Sequence, residues 1–450
     1  MTILSGILDV VARESFALAA TGFLIGGLDD LALDAVYLWN RRPEPRARDE
    51  MPVTSGTIAL FVAAWDEGEV IGAMLDTTLD RFAVEDCRIY VGAYPNDRAT
   101  IDAVAARAER DARVRLVINP QPGPTTKADC LNRVWEALLR EEEAEGWRAS
   151  AIVFHDAEDL VHRDELHVYR TMLGAYQVVQ LPVMPLPDRS SRLIAGHYID
   201  EFASAHGGAL VARNALGAPL PLAGVGCAID RNLLGTIAAM RGEPFDAASL
   251  TEDYELGLRT AMLGGRQVFA RVRDDGGRPV AVAAYFPATI DAAVRQKARW
   301  MIGIALAGWD RMGWGRARDW RDHWMRMRDR RAPVAVLILL AAYCALITWA
   351  GANVVHWLEG SDPPAPAPWL VVMLQINALL LAWRLIVRAA FTGRAYGSVE
   401  AVLSLPRAMV GNIIAMLAAR RALWAYAATL RGLSARWDKT AHRFPDAAGS

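Results

Sequence analysis

Three polar clusters occur in a fixed order along the chain: Asp156-Ala157-Glu158-Asp159, Thr251-Glu252-Asp253 and Gln296-Lys297-Ala298-Arg299-Trp300. The first offers the oxygen ligands that Mg²⁺ or Mn²⁺ prefers when it holds a diphosphate. The second offers a carboxylate that can deprotonate a hydroxyl. The third places an aromatic ring beside a cation, which suits a sugar and a departing phosphate. Together the clusters predict sugar transfer from a nucleotide sugar.

The first cluster directly follows Ala151-Ile152-Val153-Phe154, a short apolar run. An apolar run that ends in charges is typical of a buried parallel strand, and ligands bind beyond the carboxyl ends of such strands. If the chain stays extended there, Asp156 and Glu158 point to the same side, so both are predicted metal ligands. The alternative is a solvated loop or the start of a helix.

Three further apolar runs, each followed by a helix-like stretch, give the βαβαβ pattern of a parallel sheet. The runs are 58–62, 87–91 and 114–118, and the helix-like stretches are 68–80, 98–110 and 126–143.

Charged residues recur where these predicted strands end. Glu67 and Asp97 follow the first two strands and are predicted to bind the nucleobase and ribose. The alternative is that both are helix N-terminal charges favoured by the macrodipole. Lys127 follows the Gly- and Pro-rich turn 120–126, at a predicted helix start, where it can meet an anionic donor.

Asp253 is the predicted general base and Glu252 the next candidate, because a carboxylate at the mouth of a cleft can reach an attacking hydroxyl. Both lie in the predicted first turn of a helix, where Ser249 and Glu252 could instead form a capping box. Upstream, the small residues of 223–228 would let the backbone approach a sugar closely.

Gln296, Arg299 and Trp300 have the spacing i, i+3 and i+4, so they share one face of a predicted helix. This face is predicted to bind an acceptor sugar and the leaving phosphate. The alternative is an amphipathic helix beside the membrane, with its tryptophan and arginine as interfacial anchors.

Apolar stretches at 333–357 and 368–388 are predicted to span a membrane as a hairpin, with arginines flanking both outer ends. The positive-inside rule then places the catalytic domain in the cytoplasm. A further span is predicted at 14–39. Its three aspartates, Asp29, Asp30 and Asp34, should face other helices, water or the glycan path. The stretch 399–430 is predicted as an interfacial helix, with a third carboxyl-terminal span as the alternative.

The net charge of −2 gives no indication of nucleic-acid binding, and four scattered cysteines suit a reducing compartment. The predicted division of the chain is an N-terminal span with its basic flank, a cytosolic α/β domain, a basic and Trp-rich approach with the hairpin, an interfacial amphipathic helix and a tail. The boundaries are 1–50, 51–310, 311–398, 399–436 and 437–450.

These motifs, in this order, resemble the processive family-2 glycosyltransferases, the group that contains cellulose and hyaluronan synthases. The resemblance covers about residues 55–430. It implies a GT-A-like fold with a mostly parallel sheet, plus transmembrane and interfacial helices. It assigns Asp156 and Glu158 to the metal, Asp253 to the base, and Gln296, Arg299 and Trp300 to the acceptor end and diphosphate. Glu158 stands where a second Asp is usual, which leaves open whether Glu158 or Asp159 contacts the metal.

Within that family, the stretches 123–132 and 155–159 resemble the phage-adsorption glycosyltransferases of bacterial inner membranes. The resemblance implies a UDP-sugar donor, with an N-acetylhexosamine such as N-acetylmannosamine as the candidate sugar. It also implies a glycan acceptor, inner-membrane lipids around the spans, and an outer-membrane export partner as a further candidate. The resulting expectation is an inverting, metal-dependent polymerase of a β-linked exopolysaccharide. The alternatives are a non-processive transferase acting on a lipid carrier, a non-catalytic scaffold or phage-entry protein, and a purely structural membrane protein.

Overall fold

The computed structural model describes residues 3–47, 54–432 and 442–445. Fifteen α-helices, two short π-helices (Ala205–Ala209 and Met301–Leu306) and nine strands lie within these residues. The helices are α1 (Ile3–Asn40), α2 (Ile71–Arg81), α3 (Arg98–Ala108), α4 (Lys127–Glu145), α5 (Glu165–Met172), α6 (Ile194–Ser204), α7 (Leu210–Ala215), α8 (Arg231–Arg241), α9 (Glu252–Met262), α10 (Ile290–Trp300), α11 (Ala307–Met312), α12 (Trp320–Arg330), α13 (Ala332–Glu359), α14 (Pro368–Tyr396) and α15 (Ser398–Thr429). The strands are β1 (Ile58–Ala63), β2 (Cys87–Ala93), β3 (Val114–Ile118), β4 (Ala151–Asp156), β5 (Val178–Gln180), β6 (Val183–Pro185), β7 (Cys227–Asp230), β8 (Gln267–Phe269) and β9 (Val282–Ala284).

Seven strands form one sheet in the order β3-β2-β1-β4-β7-β5-β8, and β6 pairs with β9 in a second, small sheet. All neighbours in the large sheet are parallel except β7, which is antiparallel to β4 and β5. The predicted α/β class with a mostly parallel sheet is confirmed. The chain builds outward from β1 to β3 and then returns to place β4 on the other side of β1. Such a reversal opens a crevice at the carboxyl ends of the two central strands.

The central strand β1 is buried along its whole length, because helices cover both faces of the sheet. Leu60 packs in a cluster with side chains of α2, α3 and α5, and Phe61 packs in a second cluster with side chains of α4 and α8. Alternate residues therefore enter opposite layers, and each large side chain contributes roughly 1.5–3 kcal/mol of burial. This two-sided burial is why β1 is a continuous apolar run rather than an alternating one.

Four helices, α1, α13, α14 and α15, are long and apolar enough to cross a membrane. The predicted spans 14–39, 333–357 and 368–388 lie within α1, α13 and α14. Helix α1 begins earlier than predicted, and it carries Asp9 2.9 Å from His356 of α13. His356 on the adjacent helix thus offsets the free-energy cost of placing the Asp9 carboxylate in an apolar helix.

Helix α15 packs along the catalytic domain rather than only against the other long helices. Glu400, near its start, lies 3.3 Å from Arg192, and Tyr426, near its end, donates to Asp310. Between them, Ile414 packs against Tyr198 and Ala293. Because α15 is also long and apolar enough to be a span, its interfacial placement stays a prediction. Residues 433–436 of the predicted helix 399–436, like the predicted boundary near residue 50, lie outside the described residues.

The three aspartates of α1 face cations on other helices, as predicted. Arg328 and Arg331 both bind Asp29 and Asp30, and Arg384 of α14 lies 3.5 Å from Asp34. Trp324 also donates to Asp29, at 2.6 Å. The network ties α1 to α12, α13 and α14, so it sets how the long helices meet the catalytic domain.

We expect Asp29→Asn to lower thermal stability, because it leaves two partly buried guanidinium groups with weaker partners. The expected loss of unfolding free energy is on the order of 2 kcal/mol. This is less than the roughly 3–5 kcal/mol lost when a fully buried ion pair is broken, because these side chains are partly exposed to solvent. The measurement is a melting curve of the purified chain in detergent. The control is Asp102→Asn, which removes the partner of Arg98 on an exposed helix. Equal melting shifts in the two variants would contradict a structural role for the network.

Candidate active site

A cavity of about 390 Å³ lies at the crevice between β1 and β4. The register aligns Ala63 at the end of β1 with Asp156 at the end of β4, so the loops after both strands open into the same space. All three polar clusters of the sequence contribute to its lining. The predicted site residues that line it are Glu67, Lys127, Asp156, Glu158, Glu252, Asp253, Gln296, Arg299 and Trp300.

Asp97 is the one predicted site residue that does not line this cavity. Its carboxylate accepts a hydrogen bond from the backbone N–H of Thr100 as the N-cap of α3, and another from that of Asp66 at 2.5 Å. Asp66 has a positive φ of 55°, so Asp97 stabilises an unusual turn just before Glu67. Asp97 therefore acts as a helix N-terminal charge, which was the alternative reading of the sequence. Its contact with a nucleotide stays a prediction.

Lys127 is the first residue of α4, and its ammonium group points at the carboxylates of the cavity. It donates to Asp156 and lies 3.8 Å from Glu252. Burial alone would lower the pKa of Lys127, but attraction to Asp156 and Glu252 outweighs it and holds the pKa above its ordinary value. The amine therefore stays charged and neutralises part of the acidic cluster.

Glu158 and Asp159 both line the cavity, but the carboxylate of Asp159 is the more occupied of the two. Asp159 accepts the backbone N–H of Asp156 at 2.9 Å and lies 3.1 Å from Nδ1 of the buried His155, so its oxygens are used inside the domain. Burial raises the pKa of Glu158 to about 8, although the adjacent His442 acts in the opposite direction. The raised pKa means that Glu158 ionises less readily than an ordinary carboxylate. A bound cation would favour its ionised form.

Asp253 lies in the first turn of α9, half-buried, beside Glu252. Burial and the charge of Glu252 raise the pKa of Asp253 to about 7, which is near the value that suits a general base. The alternative, a capping box of Ser249 and Glu252, is not formed, because Thr251 is the N-cap and makes no side-chain cap. The Ser249 hydroxyl donates instead to Glu255, at 2.7 Å.

Gly224 explains why the stretch 223–228 is built from small residues. Its φ is +75°, and a Cβ there would lie 2.7 Å from Oδ2 of Asp253. The backbone of this stretch was expected to approach a sugar closely. In the structure it closely approaches the carboxylate of Asp253, the predicted base. A larger residue at position 224 would displace that carboxylate.

Helix α10 presents the third cluster from the side of the cavity nearest α15. The ring of Trp300 packs edge-on to Tyr198, with centroids 6.1 Å apart, and lies 6.3 Å from the ring of Phe202. Within the described part of the chain, Arg299 has no ion pair, and the buried Oε1 of Gln296 has no hydrogen-bond donor. These groups therefore remain available to a ligand.

Two residues that the sequence reasoning missed also line the cavity: His442 and Arg443. Nδ1 of His442 lies 2.8 Å from Glu67 and 3.2 Å from Glu158. These residues fall in the predicted tail 437–450, of which the structure describes 442–445. No motif marks them. The available signal was a histidine and an arginine together in a short stretch after the last apolar helix.

Comparison with known proteins shows the family of the chain. The pattern of the glycosyltransferase-like family 2 matches residues 55–303, more than half of the chain. Bacteriophage adsorption protein B of Escherichia coli K12 and bacteriophage N4 adsorption protein B of E. coli O157:H7 are each 32% identical over 486 residues, covering 98% of this chain. The chain spans 64% of the length of these relatives.

Among solved structures, the fold resembles the mannosyltransferase PcManGT from Pyrobaculum calidifontis, determined in complex with GDP-Man and Mn²⁺. The TM-score is 0.50 at 17% identity, with 89% of this chain and 98% of that chain covered. This likeness concerns the fold, and it supports the GT-A-like architecture. With its family pattern, its fold and its converging motifs, the chain belongs to the glycosyltransferase-like family 2.

Proposed function

We propose that this chain is a membrane-embedded inverting glycosyltransferase that polymerises a β-linked exopolysaccharide from a UDP-sugar, with a divalent cation. The observation that carries the proposal is the convergence of three separated motifs on one cavity at the β1–β4 crevice. A scaffold or purely structural protein would not require a candidate base, acidic metal ligands and an arginine that has no ion pair among the described residues to lie in one cavity.

The cavity fits a divalent cation by the chemistry of its side chains. Asp156 and Glu158 supply carboxylate oxygens of the kind that Mg²⁺ and Mn²⁺ prefer. Oε2 of Glu158 is buried and makes no hydrogen bond within the described residues. The cation would neutralise charge on the departing diphosphate. The Mn²⁺ reported with PcManGT agrees with this choice.

The protein's own residues account for the remaining steps of a single displacement. Asp253 accepts the proton of the acceptor hydroxyl while that oxygen forms a bond to the anomeric carbon of the donor. The bond from that carbon to the diphosphate oxygen breaks at the same time, and Arg299 offsets the charge that develops there. One displacement inverts the anomeric configuration.

The surroundings of the site support a polymer product at a membrane. Trp300 offers a ring to an acceptor sugar, and its helix packs against α15, which leads back toward the long apolar helices. By the positive-inside rule, the arginines flanking α13 and α14 support a cytoplasmic location for this domain. The names of the E. coli relatives refer to bacteriophage adsorption, which agrees with a product exposed at the surface of a bacterial cell.

We expect membranes containing this chain to release UDP from one or a few UDP-sugars and to leave GDP-Man intact. Exhaustive EDTA treatment should abolish the release, because the carboxylates of Asp156 and Glu158 then lack their cation. Adding Mn²⁺ or Mg²⁺ should restore it. The measurement is coupled detection of free nucleotide across a donor panel, with product sizing. UDP release that persists undiminished in EDTA would refute metal dependence.

Asp253→Asn should preserve folding and UDP binding while lowering turnover by roughly 10²–10⁴-fold, the contribution of a positioned base. Initial rates and a UDP-binding isotherm measure this. Glu252→Gln is the comparison variant, since Glu252 is the adjacent carboxylate in the same cavity. Near-normal turnover in Asp253→Asn would show that another group is the general base.

The same role also fixes a pH dependence. A base works only when ionised, and the pKa of Asp253 is raised to about 7. The kcat/KM of the wild type should therefore fall as the pH decreases through about 7. A profile that stays flat down to pH 5 would contradict Asp253 as the base.

Trp300→Ala should shorten or abolish the polymer while UDP binding survives within several-fold. Losing a stacking ring should cost on the order of 1–3 kcal/mol of acceptor binding, by analogy with base stacking on aromatic side chains. Product sizing, a melting curve and a UDP isotherm on the same sample measure this. Trp309→Ala is the matched control, since this ring is 43% exposed and lies outside the cavity. Unchanged product length in a stable Trp300→Ala protein would refute the acceptor role.

A further inference from the structure

We infer that a second cavity, at the junction of the long helices with the catalytic domain, binds the phosphate-bearing headgroup of an anionic phospholipid. The cavity has a volume of about 1140 Å³ and lies between the ends of α1 and α14 and the catalytic-domain helices α6 and α7. Pockets for small molecules measure roughly 300–1,000 Å³, so this one has room for a headgroup with part of its acyl chains. The inference concerns a site separate from the proposed glycosyl transfer and does not depend on it.

The charges of the cavity wall favour an anion. Five arginines line the cavity against a single acidic residue, which leaves an excess of four positive charges among the described residues. These charged residues are Arg41, Arg42, Glu44, Arg271, Arg273 and Arg394. His206 also lines the cavity, but burial lowers its pKa to about 3, so its imidazole is neutral. Guanidinium groups bind phosphate oxygens in pairs, so a wall of arginines suits a phosphate.

Three of the arginines have no acidic partner. Within the part of the chain that the structure describes, Arg41, Arg42 and Arg394 are exposed and form no ion pair. The carboxylate of Glu44 lies 2.5 Å from Arg271 and 2.8 Å from Arg273, so the one acid of the wall is already shared by the other two arginines. The three unpaired guanidinium groups are therefore available to a ligand.

Arg41 and Arg394 lie at the same level of the long helices. One turn before them, the rings of Tyr37 and Phe391 meet edge-on, with centroids 5.2 Å apart, and both helices end close by. Trp39, at the end of α1, is 91% exposed, as expected of a ring in the interfacial layer of a membrane. The arginines therefore lie at the depth of lipid headgroups, where basic pockets bind anionic lipids. This position favours a phospholipid over a soluble phosphate.

Backbone hydrogen bonds hold the segment after α1 against the catalytic domain. The backbone N–H of Arg273 donates to the carbonyl oxygen of Pro45 at 2.9 Å, and its carbonyl oxygen accepts the N–H of Ala47 at 2.7 Å. These contacts do not involve the side chains of Arg41 and Arg42. They restrict the position of both arginines without a ligand, as a preorganised site requires.

The cavity is separate from the active-site cavity but shares a wall with it. Among the described residues, none from the three polar clusters lines the second cavity, whereas Val183 and Phe202 line both. The ring of Phe202 lies 5.1 Å from that of His206 on the lipid side and 6.3 Å from that of Trp300 on the active-site side. A lipid bound here would support the wall behind Trp300 without occupying the place of the donor.

The test is retention of radiolabelled phosphatidylglycerol from mixed detergent micelles by the immobilised whole chain. Phosphatidylcholine with the same label measures lipid binding that does not depend on a net negative headgroup. Half-saturation should need on the order of 100-fold less phosphatidylglycerol than phosphatidylcholine, about 5-fold for each of the three unpaired arginines. Equal retention of the two lipids would overturn the inference.

The triple variant Arg41→Gln/Arg42→Gln/Arg394→Gln should remove this preference. The matched control replaces three exposed arginines outside the cavity and makes the same change in net charge. These control changes are Arg316→Gln, Arg318→Gln and Arg321→Gln, and the preference should survive them. Equal losses in the two triple variants would show a general attraction between basic surface and anionic lipid, and would overturn the site.

A second variant tests the cavity without changing its charge. Ala395 is an exposed residue of the cavity wall, and Ala395→Trp should weaken phosphatidylglycerol retention by narrowing the space for the headgroup. Unchanged retention in a folded Ala395→Trp protein would overturn the inference even if the triple variant fails to fold, and melting curves identify that failure. Inorganic phosphate should displace no more lipid than chloride does at the same ionic strength. Specific displacement by phosphate would assign the cavity to a soluble anion instead of a lipid.

Discussion

Carboxylates crowded into one cavity are the constraint on which the rest of this structure depends. Seven acidic side chains line the cavity, against four basic ones. Burial raises the pKa of a carboxylate, and like charges at close range add to the effect. The raised pKa values of Glu158 and Asp253 are the visible result. The cavity is therefore poised to gain from added positive charge, and a metal-bound nucleotide sugar brings it.

The fold brings these charges together by topology. Because β4 returns beside β1, the loops after two strands that are distant in sequence open at one edge of the sheet. The same edge receives the start of α4 with Lys127, the start of α9 with Asp253, and the face of α10 with Arg299. Each group is supplied by the end of a rigid element, which keeps the arrangement fixed without the ligand.

The membrane helices are connected to this cavity through packing and charge. Helix α10 packs against α15 beside Trp300, and the aspartates of α1 bind Arg328 of α12 and Arg331, which lies between α12 and α13. An acceptor held at Trp300 would thus lie between the chemistry and the apolar helices. That placement suits a growing chain that leaves through the membrane.

The sequence was sufficient to predict the elements and site residues for which local pattern and topology agree. Buried parallel strands are continuous apolar runs, so β1 and β4 and the carboxylates after them could be predicted, and the structure brings the predicted residues together. It was insufficient where long-range contacts decide. Ser249 does not cap α9, because Glu255, which also binds Arg311, accepts its hydroxyl. Asp97 is occupied by the backbone of a strained turn. His442 carries no local signal, because its partners Glu67 and Glu158 lie in distant parts of the chain.

The central claim is a single displacement in which Asp253 takes the acceptor proton, and the stereochemistry of the product tests it most directly. The anomeric configuration of the first new linkage can be read by nuclear magnetic resonance from the one-bond coupling between the anomeric carbon and its proton. With an α-linked UDP-sugar donor, a β-linked product is expected. An α-linked product would require two displacements or a front-side path, and would contradict the assignment of the cavity.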